Sequence, residues 1–170
     1  MMQPLRWMAA ATVTVALAVG AAPAMAQDAG IAVGTKAPAV VLKTLDGKAV
    51  DLGKLNGKKP YMIEFWATWC SNCEEMLPRV KAAAAKYGKD VEFYGVNVTV
   101  NQTKERVQRY LAKHQPPYVT LWDDTGVSTR AFDVPTTSFI VIVDKSGVVR
   151  YAALGGEQNI DAPLKLVAGK

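Results

Sequence analysis

Cys70 and Cys73 are the only cysteines in the chain, with Ser71 and Asn72 between them. A dithiol that exchanges with other disulfides needs one accessible thiolate to attack and a second thiol close enough to resolve the mixed disulfide. Cys-x-x-Cys at a helix start supplies both. The free N–H groups and the positive end of the helix dipole favour a thiolate on the first cysteine, while the second lies one turn further in. Cys70 is therefore the expected nucleophile and Cys73 the expected resolving thiol. As a structural staple the pair offers little, because closing so short a loop removes little chain entropy.

Glu64 stands six residues before Cys70 inside the apolar run Tyr61 to Ala67. In a central strand its carboxyl is buried, its proton affinity is raised and it can exchange a proton with Cys73 through a water; on an edge strand it points to solvent. Glu74 and Glu75 follow the motif. The first reading is that they stabilise the helix start; the alternative is that their charge offsets part of the thiolate stabilisation, which would lean towards reduction. Zinc needs four ligands, and the single histidine, His114, lies far from the pair, so no metal site is expected. Two thiolates can still hold Cu(I), which keeps a copper-binding chaperone as an alternative. Two glycosylation sequons begin at Asn97 and Asn101 and receive no function.

The elements that must hold these residues can be read from patterning. Val40 to Thr44 and Lys48 to Leu52 flank Asp46-Gly47 and predict a β-hairpin with a two-residue loop. Gly53 to Pro60 reads as a loop, Tyr61 to Ala67 as a strand, and Cys73 to Tyr87 as a helix kinked at Pro78. Strands follow at Val91 to Val98 and Tyr118 to Trp122, separated by a helix from Thr103 to Gln115. A helical turn at Val127 to Phe132, strands at Ser138 to Val143 and Val148 to Leu154, and a closing helix at Ile160 to Ala168 complete the chain. Such alternation implies a mixed sheet with helices on both faces.

With 170 residues, 50% of them hydrophobic and 21% charged, the composition fits one compact domain and excludes a disordered tail or a multi-span membrane protein. The net charge of +5 is spread without any basic block, which argues against nucleic acid as a partner. Residues 1–26 differ from the rest. Arg6 precedes a charge-free run from Trp7 to Ala26 that ends in Ala24-Met25-Ala26, the pattern of a signal peptide cleaved before Gln27. Left uncleaved, the segment is a membrane anchor, although Met8 to Ala22 is shorter than a spanning helix and Pro23 interrupts it. Residues 27–38 read as a flexible lead-in and 39–170 as the folded domain, exported to a periplasm.

Glu64-Phe65-Trp66-Ala67-Thr68-Trp69-Cys70-Ser71-Asn72-Cys73, followed by Val134-Pro135-Thr136-Thr137-Ser138-Phe139, resembles the thioredoxin superfamily. More narrowly, the stretch from Val33 to Leu154 is similar to exported thiol-disulfide oxidoreductases of the TlpA and ResA type, which include cytochrome c maturation reductants. The resemblance implies a thioredoxin-like α/β fold, with a mixed central sheet flanked by helices and an N-terminal β-hairpin. It makes Glu64 the buried acid and Pro135 a cis proline beside the cysteines, turning the Val134 main chain towards a bound peptide. Trp69, Ser71, Asn72 and Val134 become client contacts. The implied partners are client proteins with disulfides and a membrane electron donor that reloads the dithiol, with no cofactor. One departure stands out: ResA-type reductants carry a glutamate three residues after the second cysteine, and here that residue is Met76. The motif also lacks the histidine of strongly oxidising relatives, so reduction is the expected direction and a disulfide oxidant or isomerase the alternative.

Overall fold

The structure is a computed structural model that describes residues 30–170 apart from Asn56; the expected signal peptide, residues 1–26, lies outside the described residues. In chain order the elements are β1 (Val41–Thr44), β2 (Ala49–Asp51), a 3-10 turn (Leu52–Leu55), β3 (Tyr61–Trp66), α1 (Ser71–Tyr87) and β4 (Glu92–Val98). Then come α2 (Lys104–His114), β5 (Val119–Asp123), α3 (Val127–Ala131), β6 (Phe139–Val143), β7 (Val149–Leu154) and α4 (Asp161–Val167). The strands form one sheet in the order β2-β1-β5-β4-β3-β6-β7. β3, β4 and β5 run parallel, and the other neighbours pair antiparallel. Among the described residues, no helix is long and apolar enough to cross a membrane.

β3 lies inside the sheet with all six residues buried, which is why it reads as a nearly unbroken apolar run. Alternation along it divides the core. Ile63 and Phe65 point to one face and pack with Leu42, Leu52, Val96 and Phe132. Met62 and Trp66 point to the other, where α1, α2 and α4 supply Met76, Val107 and Leu164. Glu64 belongs by its position to this second face. Helical cover thus lies on both sides, with α3 and the 3-10 turn opposite α1, α2 and α4.

Three local expectations are refined. The hairpin loop has three residues, not two: Thr44 N–H donates to Lys48 O at 2.9 Å, and Gly47, at φ +91°, closes it, the geometry of a turn ending in a left-handed residue. The helix after the motif begins at Ser71 rather than Cys73 and runs through Pro78, which lies on its exposed side. Sequence patterning starts the fold near Ala39, yet the preceding residues are bonded into it. Ile31 N–H donates to Phe132 O, Gly34 N–H to Val149 O and Ala37 N–H to Gly147 O. These are main-chain bonds, which need no apolar periodicity and so leave no trace in composition.

Candidate active site

Strand β3 ends at Trp66 and runs through Ala67-Thr68-Trp69 into Cys70, the N-cap of α1. Cys70 and Cys73 are joined as a disulfide with Cα atoms 5.3 Å apart, which is what one helical turn allows. Both are buried, Cys70 at 6% and Cys73 at 4% exposure. Burial in the oxidised state therefore hardly separates their roles. The capping geometry does: the Cys73 N–H donates to Cys70 Sγ at 3.1 Å. This N–H and the positive helix end lie at Cys70 Sγ, a setting that stabilises negative charge on sulfur.

Ser71 and Asn72 are exposed on the first turn of α1. Trp69 is 45% exposed, and its Nε1–H donates to Val100 O at 2.9 Å. Gln102 Oε1 accepts from the Thr68 N–H at 3.1 Å. The loop after β4 thus braces the approach to the motif. Val100 and Gln102 were not singled out by sequence, and nothing in their types or spacing marks a contact more than thirty residues away.

Glu64 occupies the inside of the sheet, between Gly95 of β4 and Ile140 of β6 in register. It is 1% exposed, and its Oε1 has no hydrogen-bond partner among the described residues. Burial pushes its pKa up to about 8, because charging a carboxylate away from water and without donors is unfavourable. This settles the strand alternative in favour of the buried position. Met76, where ResA-type reductants carry glutamate, is fully buried with Met62 and Val80. At that position α1 contributes apolar packing.

The segment entering β6 differs from expectation. The Val134–Pro135 peptide bond is not cis, and Pro135 is exposed. The Val134 N–H donates to Thr129 O at 2.9 Å, so it is used within the chain. The residue beside the end of β3 is Ser138, whose N–H donates to Phe65 O at 2.8 Å. Asp133 at φ +48° and Ser138 at φ +61° shape the turn. Ser138 Oγ donates to Gly155 O at 3.0 Å, and Ser138 O accepts from Gln158 Nε2 at 2.9 Å. Register, which a motif does not reveal, brings Ser138 beside Phe65 of β3. Asn97 is buried beside Trp66, its Oδ1 without a partner. His114 stacks on Tyr110 with ring centroids 4.0 Å apart. Among the described residues, no group of three or more His, Cys, Asp or Glu is placed to hold a metal.

A profile of the Redoxin family matches residues 32–164. Thioredoxin-like protein YneN of Bacillus subtilis is 29% identical over 132 residues, covering 76% of this chain and 75% of its own length. Thiol-disulfide oxidoreductase ResA of Bacillus thuringiensis is 28% identical over 128 residues, covering 75% and 72%. The crystal structure of a thiol:disulfide interchange protein of the thioredoxin family from Chlorobium tepidum superposes with a TM-score of 0.69 at 26% identity, covering 81% of this chain and 99% of that one.

Proposed function

The chain belongs to the Redoxin family as a thiol-disulfide oxidoreductase of the thioredoxin superfamily, and from that premise we propose that it is an exported reductant of client-protein disulfides. The reading rests on one juxtaposition: a Cys-x-x-Cys pair at the head of α1, with a buried glutamate, its Oε1 unpartnered among the described residues, on the strand that leads into it.

The Cys70 thiolate attacks a client disulfide, forming a Cys70–client bond and releasing one client sulfur as thiolate. In the fraction of molecules whose Glu64 is ionised, a fraction that grows as pH approaches about 8, Cys73 then gives its proton, through a water, to the Glu64 carboxylate. The Cys73 thiolate attacks Cys70 Sγ, the second client sulfur leaves, and two electrons have passed to the client. Burial makes Glu64 a stronger base than an exposed carboxylate, and the neutral acid is the form the pocket favours once the disulfide has closed. Glu64 therefore acts on Cys73, not on the attacking sulfur.

An extended client segment has main-chain groups to pair with at Thr136, which is exposed, makes no main-chain hydrogen bond among the described residues and leads through Thr137 into Ser138 beside β3. Trp69, Ser71 and Asn72 border the disulfide on the exposed side. The export pattern of residues 1–26 supports a periplasmic location, and the proposal includes a membrane thiol donor that reloads the dithiol, with cytochrome c maturation as the setting.

Cys73→Ala tests this reading. The variant should accumulate a mixed disulfide through Cys70 with a client that normally carries a disulfide, whereas Cys70→Ala should not. Retention of no partner by Cys73→Ala would remove the client-reduction reading. A reduction potential near the oxidising extreme of about −120 mV would reverse the direction.

A further inference from the structure

We propose that Tyr118 is a positioning residue for the dithiol reaction: its ring fills the space left by Gly95 and seals Glu64 from water. The register of β3 on β4 pairs Glu64 with Gly95. A Cβ on Gly95 would lie 2.2 Å from Tyr118 Cε2 and 2.5 Å from Cδ2, so the phenol ring packs directly against the strand at that point. Gly95 is not in the left-handed region. Glycine is needed there for space, not for backbone conformation.

The ring is held from two sides. Its centroid lies 6.0 Å from that of Trp66, which in turn contacts Tyr110 at 5.2 Å. Pro116 and Pro117 immediately precede Tyr118 and restrict the chain that delivers it. Trp66 shares the Glu64 face of β3, so Gly95, Tyr118 and Trp66 wall the carboxyl on the β4 side.

The titratable groups facing this region are the Cys73 thiol and Glu74 from α1, Tyr110 from α2, and Tyr118 itself. Glu64 acts electrostatically on both phenols, and Glu74 acts on Tyr110. Among the described residues no cation acts on Glu64, and burial alone raises its proton affinity. With burial as the cause of the raised affinity, whatever excludes water sets it.

This inference rests on the reading of Glu64 as the proton acceptor of Cys73, and the two can be tested apart. In the oxidised protein neither sulfur titrates, so the carbon-13 shift of the Glu64 carboxyl can be followed against pH. The native midpoint should lie near 8. Tyr118→Phe keeps the ring and should keep the midpoint. Tyr118→Ala opens the pocket and should lower it by at least about one pH unit. Gly95→Ala displaces the ring and should shift it the same way, which serves if Tyr118→Ala does not fold. An unmoved midpoint in the folded variants overturns the inference, and so does Tyr118→Phe falling as far as Tyr118→Ala, since the hydroxyl would then be the active part. The pH profile of the resolving step should shift with the midpoint. If Glu64→Gln leaves that profile unchanged, the proton-acceptor reading falls instead, whatever the titration shows.

Discussion

Glu64 in the middle of β3 and Asp123 at the end of β5 are almost equally buried, at 1% and 2% exposure, yet only Asp123 is supplied with donors. Its Oδ2 accepts from Ser128 N at 3.2 Å, Ser128 Oγ at 2.7 Å, Thr129 N at 3.0 Å and Thr129 Oγ1 at 3.1 Å. These bonds secure the start of α3, whose own N-cap, Gly126, has no side chain to offer. Glu64 faces a glycine, an isoleucine and aromatic rings and has no hydrogen-bond donor among the described residues, whereas Asp123 leaves its Oδ1 without one while its Oδ2 takes all four. A buried acid that serves structure is given partners; one left without them is poised to hold or release a proton.

Replacing each acid should produce effects of opposite sign. The largest belongs to Glu64. The folded protein holds its proton up to about 8, whereas the unfolded chain releases it near 4.5. Stability should therefore fall as pH rises through that window, by roughly 1.4 kcal/mol per pH unit, and level off above it. Glu64→Gln should flatten this dependence and be the more stable protein at pH 8, as urea midpoints at pH 5, 7 and 9 would show. The same variant should slow closure of the Cys70–Cys73 bond while leaving client attack intact, a split visible in single-turnover kinetics.

Asp123→Ala should move stability the other way, lowering it by about 2–3 kcal/mol through loss of the α3 start. Its reduction potential and pH profile should match the native protein; a shifted profile would show that the two acids are coupled. Smallest is Trp69→Ala. Losing the bond to Val100 should lower stability by about 1 kcal/mol or less, while KM for a protein client rises and turnover with a small disulfide stays unchanged. Equal effects on both substrates would place Trp69 in support of the motif and not in client contact.

Much of the Glu64 region can be read from the chain, and little of the Asp123 region can. A polar residue in an apolar run ahead of Cys-x-x-Cys stands out, since a strand buried on both faces tolerates few such residues. Asp123 lies in an ordinary strand end followed by common turn residues, and its four donors emerge only when α3 folds back. Pro135 differs in another way: its motif context is conspicuous, yet the bond before it is not cis and its side chain is exposed.

Local spacing was sufficient for the redox pair: residues three apart at a helix start are brought together by the turn itself, whatever surrounds them. Apolar patterning likewise placed the central strand and the helices beside it. The ring of Tyr118 over Gly95, the bracing by Val100 and Gln102, and the entry of Ser138 beside Phe65 required the tertiary structure. Each depends on strand register or on a main-chain bond between distant residues, and main-chain groups are the same at every non-proline position, so side-chain identity cannot announce which of them will meet.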